Sequence, residues 1–230
     1  MILKKWEELP KNMQTDAVFP YWKALNEKKA PLLLKRGMDI LFSTLMLLLF
    51  SPVFLLLAVA IRLDSPGPVF YRQERVTRYG RVFRIHKFRS MCDGADKKGT
   101  LVTVSGDSRV TRVGRFIRKY KLDELPQLLD VWKGDMSFVG TRPEVRRYVD
   151  AYTPEMMATL LLPAGITSTA SIRYKDENAL LDAAEDVDRT YIGEILPEKM
   201  KWNLEDIRKF SPGREMGICV KTVLAVFGRE

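Results

Sequence analysis

The chain has 230 residues, enough for one domain or one domain with an anchor, and 46% are hydrophobic, enough for a true core. A net charge of +9 and a pI near 9.5 favour an anionic partner: lipid headgroups, a nucleotide or nucleic acid. Two distant cysteines, Cys92 and Cys219, imply no disulfide framework and suit a reducing compartment, and a single histidine, His86, argues against Ser-His-Asp chemistry and a His-based zinc site.

Residues 1–34 mix charge with Trp6, Phe19, Tyr21 and Trp22. Aromatics beside lysines suit a membrane interface; a plain docking segment fits the same pattern. The stretch is no secretory signal, because charges precede the apolar run. That run, residues 40–61, is 22 residues without a charge, against about 20 needed to span a bilayer. Ser51-Pro52 falls at its middle, where proline removes a backbone donor and a kink is expected. Lys28, Lys29, Lys35 and Arg36 precede the run, and Arg62, Arg72, Arg75 and Arg78 follow it. Such flanks put both ends on the cytoplasmic side. A re-entrant helix broken at Ser51 and Pro52 and a kinked single span both fit the residues.

Asp64-Ser65-Pro66-Gly67-Pro68 is a turn cluster. Residues 69–71 and 81–91 read as short strands. If 85–89 is extended, Lys87 and Arg89 share one face, as a phosphate site needs, although a solvated edge strand gives the same spacing. His86 reads as a structural side chain. Residues 109–120 look helical, with Val110, Val113, Ile117 and Tyr120 as an apolar stripe and Arg112, Arg115 and Lys119 as a basic one. Asp123 is expected to cap a helix that runs to about Trp132 and ends at Gly134, with Pro126 in its first turn. Arg142-Pro143-Glu144 starts another helix, residues 179–188 form an acidic helix, and 194–209 and 214–227 form two more. The last has few charges and suits the bilayer surface.

Asp123 and Glu124 follow a segment, residues 109–121, that holds six Lys or Arg. A helix start stabilises anions and welcomes phosphate. An ionised carboxylate there is able to attack phosphorus and form an acyl phosphate, with the charge offset by arginine forks and by magnesium held between carboxylate and phosphates. Read alone, however, Asp-Glu before a helix is an ordinary cap.

The ordered series Lys35-Arg36-Gly37-Met38-Asp39, Ser51-Pro52, Pro66-Gly67-Pro68-Val69-Phe70, Lys87-Phe88-Arg89-Ser90-Met91, Leu122-Asp123-Glu124-Leu125-Pro126-Gln127-Leu128, Lys133-Gly134-Asp135-Met136-Ser137, Arg142-Pro143 and Pro163-Ala164-Gly165-Ile166-Thr167 closely resembles the bacterial sugar transferases known as monotopic phosphoglycosyl transferases. The resemblance covers residues 33–175 and, more loosely, the rest. It implies transfer of a sugar 1-phosphate from a UDP-sugar to polyprenyl (undecaprenyl) phosphate, with UMP released and membrane glycan assembly begun. Carried over, Asp123 is the nucleophile and a magnesium contact, and Glu124 is its dyad partner. Arg118 and Arg142 hold phosphates, with Lys87 and Arg89 as further candidates. The implied fold is mostly α with a few short strands. Residues 1–34 would be interfacial, 35–63 a re-entrant membrane helix broken at Ser51-Pro52, and 64–230 a compact cytoplasmic catalytic domain with membrane-surface helices. The implied location is the cytoplasmic face of the bacterial inner membrane, among its lipids. With no further apolar bundle, the chain resembles the minimal catalytic form. No base-reading motif points to nucleic acid. A non-enzymatic, membrane-anchored basic scaffold is the alternative. Departures at Thr141, Tyr120-Lys121, residues 167–175 and Ser211-Pro212-Gly213 leave the sugar open, and the residues do not give the oligomeric state.

Overall fold

The computed structural model describes residues 1–95, 107–174 and 186–227. Its helices are α1 (Phe19–Asn26), α2 (Lys29–Asp64), α3 (Arg112–Lys119), α4 (Gln127–Lys133), α5 (Arg146–Val149), α6 (Thr169–Arg173), α7 (Val187–Thr190), α8 (Leu196–Arg208) and α9 (Pro212–Phe227). Among the described residues there are four short strands: β1 (Phe70–Val76) pairs antiparallel with β2 (Val82–Phe88), and β3 (Met136–Val139) pairs parallel with β4 (Ala164–Thr167). The chain is therefore mostly helical with a few short strands, as its sequence implies. The acidic helix expected at 179–188 falls largely outside the described residues.

Residues 1–34 contribute to the main core. Leu3, Leu9, Met13, Val18, Tyr21, Leu25 and Leu32 are buried in one cluster with Val76, Met157, Leu161, Leu204, Ile207 and Phe210. Trp6, Phe19 and Trp22 form an aromatic group at its edge, with ring centroids 5.0 to 6.0 Å apart.

Helix α2 runs from Lys29 to Asp64 with Pro52 inside it, so the break expected at Ser51-Pro52 is not seen and one continuous helix stands there. Proline takes away the N–H that would reach the Leu48 carbonyl, and the Ser51 hydroxyl donates to that carbonyl instead, at 2.8 Å. The neighbouring hydroxyls of Ser43 and Thr44 turn back onto the Ile40 carbonyl. The polar groups of this stretch are thus satisfied locally while Leu41, Leu45, Leu48, Leu49, Leu55 and Leu56 stand exposed. Among the described residues α2 is the one helix long and apolar enough to cross a membrane.

Both ends of α2 are tied to the domain. Near its start, Lys35 Nζ donates to the Val139 carbonyl (2.9 Å) and pairs with Glu215 (2.7 Å), and Asp39 accepts from the Ser137 hydroxyl and the Phe138 N–H. Arg36 caps α4 by donating to the Val131 and Trp132 carbonyls, where Gly134 (φ 91°) supplies the left-handed turn. Near its end, Leu57 and Ile61 pack with Phe88 and Ile117, and Asp64 accepts the Val113 N–H at the start of α3. The β3–β4 pair admits no side chain where the backbones meet: a Cβ on Gly165 would lie 2.1 Å from the Gly140 nitrogen.

Candidate active site

The expected helix at Asp123 is shorter and later. Lys121 adopts a left-handed conformation (φ 56°), Leu122–Glu124 forms a single 3-10 turn, and α4 begins only at Gln127. Pro126 has no N–H to place in the helix, so it stands at the boundary. The acids therefore sit on a tight turn between α3 and α4. Leu122 and Leu125 bracket them and pack against the cluster built on Leu57, Ile61, Phe88 and Ile117, with Val53 and Phe54 beside it. The dyad is thus fixed to the end of the apolar helix.

The two carboxylates are unlike. Glu124 Oε1 accepts from Lys87 Nζ at 2.7 Å and from Arg142 Nη2 at 2.8 Å. Burial works to raise its pKa, but Arg142 and Lys87 outweigh that and hold it well below the usual carboxylate range. Asp123, half-buried, accepts from its own backbone N–H and forms no ion pair among the described residues. Burial and the charge of Glu124 push its pKa up, against the pull of Lys87 and Arg118. One acid is thus committed and the other is available.

Lys87, Arg118 and Arg142 all act on the dyad. Burial pushes the Lys87 ammonium down, and Glu124 opposes that. Arg89 is not brought to them. Its buried guanidinium donates to the Pro66 (2.6 Å) and Ser65 (2.6 Å) carbonyls and to that of Ile61, where it closes the C-terminal end of α2. Strand β2 ends at Phe88, so the shared face expected for Lys87 and Arg89 does not persist. His86 is structural: Nδ1 lies 2.6 Å from Asp130 Oδ1 and its N–H donates to Oδ2 at 2.8 Å, which joins β2 to α4.

Other polar groups near the site carry no motif by themselves. Glu144, buried, accepts from the Tyr191 hydroxyl at 2.5 Å and lies 3.9 Å from Lys199. Tyr191 opens a π-helical turn, Tyr191–Ile195, a rare irregularity frequent at functional sites. Arg75 and Gln73 lie on β1, with Arg75 bonded to the Pro143 carbonyl. The sequence places the end of this strand at residue 71, whereas β1 runs to Val76, and nothing local ties Gln73 or Arg75 to the dyad.

No group of three or more metal-ligating side chains occurs among the described residues. Glu124 is taken up by its cations, so Asp123 is the carboxylate left for an ion. One carboxylate with substrate phosphates is a pattern that suits magnesium.

Fold and site define a class: a basic domain that sets a free and a neutralised carboxylate side by side, among cations, at the foot of an exposed apolar helix. The chain belongs to the bacterial sugar transferase family, whose model matches residues 30–229. It is 41% identical over 196 residues to a UDP-N-acetylgalactosamine-undecaprenyl-phosphate N-acetylgalactosaminephosphotransferase of Aeromonas hydrophila, covering 84% of this chain and 43% of that one. It is 38% identical over 192 residues to a UDP-glucose:undecaprenyl-phosphate glucose-1-phosphate transferase of Caulobacter vibrioides (82% and 68%) and 37% identical over 199 residues to one of Escherichia coli (85% and 40%). The chain therefore spans about two fifths of the length of two of these relatives.

Proposed function

We propose that this chain transfers a sugar 1-phosphate from a UDP-sugar to undecaprenyl phosphate through a phosphosugar-Asp123 intermediate. The observation that carries the reading is the split dyad: among the described residues no cation is bonded to Asp123, whereas Lys87 and Arg142 saturate Glu124. The relatives' names support the substrate classes and differ in the sugar, so no sugar is assigned.

In the first step an Asp123 carboxylate oxygen attacks the phosphorus that bears the sugar. The bond from that phosphorus to the bridging oxygen breaks, and UMP leaves with the electron pair. In the second, a phosphate oxygen of the polyprenyl acceptor attacks the same phosphorus. The acyl-phosphate P–O bond breaks, polyprenyl diphosphate sugar forms, and the Asp123 carboxylate is regenerated. Splitting the transfer lets one site serve two substrates in turn. Lys87 and Arg142 fix Glu124 as an anion and add positive field where charge develops, and Arg118 does so beside Asp123. Bound magnesium would draw charge from the diphosphate and favour ionised Asp123.

The same reading puts α2 into the cytoplasmic leaflet as a re-entrant segment, with the domain on the cytoplasmic face of the inner membrane. Support comes from the anchoring at both ends. Asp39 is bonded to β3 and Asp64 to α3, within one domain. A span would have to put a hydrocarbon layer about 30 Å thick between those ends, which one polar domain has no way to straddle.

The test is a donor-only assay. Purified protein with magnesium and a panel of UDP-sugars, but no acceptor, is expected to release UMP in an amount equal to the enzyme and then stop. Full turnover by Asp123→Asn in the presence of acceptor would refute the nucleophile.

A further inference from the structure

Arg75 is a cation for which the transfer chemistry above has no role. It shares one face of β1 with Gln73 and Tyr71, and Tyr71 is paired across the ladder with Lys87, the lysine bonded to Glu124. Gln73 Oε1 accepts from Arg75 Nε at 3.1 Å and from Nη2 at 2.6 Å, which fixes the plane of the guanidinium. Nη1 donates to the carbonyl of Pro143, the residue next to Arg142, at 3.2 Å. Among the described residues no carboxylate lies within ion-pair distance of Arg75, whereas Lys87 and Arg142 share Glu124. Glu144, the nearest carboxylate by its effect, already holds the Tyr191 hydroxyl. Burial and, more weakly, the repulsion of Arg142 outweigh Glu144 and push the Arg75 pKa down.

Arg75 is bonded to the residue next to Arg142 and is repelled by its charge, a cost that an incoming anion would relieve. A fork already oriented by Gln73 matches phosphate oxygens without further ordering. Arg75 bonds the carbonyl of Pro143, next to Arg142, and Arg142 in turn bonds Glu124, the acid that is not the nucleophile.

We infer that Arg75, oriented by Gln73, is a further phosphate-binding residue, acting beside Arg142 on a phosphate that Asp123 does not attack. The shared chemistry is a phosphate oxygen, from either the departing nucleotide or the polyprenyl phosphate. That choice rests on the transfer reading; the anion site does not.

The full-length protein in detergent is titrated with inorganic pyrophosphate by calorimetry, alongside Arg75→Gln, Arg75→Lys and Arg72→Gln. Arg72 is the control: it is exposed on the opposite strand face and, among the described residues, bonds only the Arg84 carbonyl. Arg75→Gln is expected to weaken pyrophosphate at least tenfold. Arg75→Lys, which keeps charge and loses the fork, is expected to weaken it about threefold. Arg72→Gln is expected to leave it unchanged, and the unfolding temperatures to stay at the wild-type value. Should Arg75→Gln not fold, the Arg75→Lys loss at unchanged unfolding temperature decides. A raised KM for nucleotide sugar in adduct formation assigns the nucleotide phosphate, and a raised KM for polyprenyl phosphate in adduct discharge assigns the acceptor. Wild-type affinity in the Arg75 variants, or losses that track a lower unfolding temperature, would overturn the inference and leave Arg75 a brace for Pro143. Wild-type protein that binds pyrophosphate through Arg75 but releases no UMP would sink the transfer reading alone.

Discussion

At the scale of residues, the dyad divides its work by environment. Asp123 has a pKa raised above its unfolded value of about 3.9, so the folded state binds the extra proton. Stability then falls as pH rises through that window, and the cost persists at neutral pH. Asp123→Asn removes the cost. Without metal or substrate it is expected to unfold at a higher temperature than wild type at pH 7, and the gain should vanish in acid below the unfolded carboxylate value. A lower unfolding temperature at pH 7 would show that Asp123 is a structural acid. Glu124 has the opposite sign. Its depressed pKa contributes stability above about pH 4.3 that is lost as pH falls through the folded value. Glu124→Gln is expected to cost on the order of 2 kcal/mol by denaturant titration at pH 7. That is below the 3–5 kcal/mol or so of a fully buried broken pair, because the Arg142 side chain is 42% exposed.

At the scale of elements, the turn that presents the acids stores backbone strain. Lys121 stands at φ 56° immediately before the dyad, a conformation that costs an ordinary residue about 1–2 kcal/mol. Lys121→Gly is expected to raise stability by about 1 kcal/mol after glycine's own entropy cost, and Lys121→Val to lower it. Equal stabilities in a thermal melt would contradict the strain. This turn was only half legible in the sequence. Asp and Glu beside leucines at a helix start were visible, as was Gly134 at the helix end. The left-handed Lys121, and a helix that waits until Gln127, were not, because they follow from how Leu122 and Leu125 dock on α2 and β2 rather than from local propensity. Arg89 misled for a related reason. Strand alternation placed it beside Lys87, and only tertiary structure supplied the carbonyls of Ile61, Ser65 and Pro66 that claim it.

At the scale of the whole molecule, the segment ahead of the family match is part of the core. The match begins at residue 30, yet Leu3, Leu9, Met13, Val18, Tyr21 and Leu25 are buried before it. At about 1.5–3 kcal/mol for each buried side chain, their loss rivals the whole stability of a domain, about 5–15 kcal/mol. A chain starting at residue 29 is expected to aggregate or to lack a cooperative melt; a sharp melt near the wild-type temperature would contradict this. Both an interfacial and a docked reading of this segment fitted its mixture of charge and aromatics, since periodicity does not say what an apolar face meets. The apolar helix was plain in the sequence, but the bonds from Asp39 and Asp64 that tie both its ends to one domain belong to the folded chain. The central claim joins these scales: the uncommitted acid at the foot of that helix takes up phosphorus. Peptide mass mapping of wild-type protein incubated with magnesium and a turned-over UDP-sugar, without acceptor, tests it most directly. The expected result is a sugar phosphate added to the peptide at Asp123, removed by polyprenyl phosphate and absent from Asp123→Asn; an adduct on Glu124, or UMP release with no adduct at all, would contradict it.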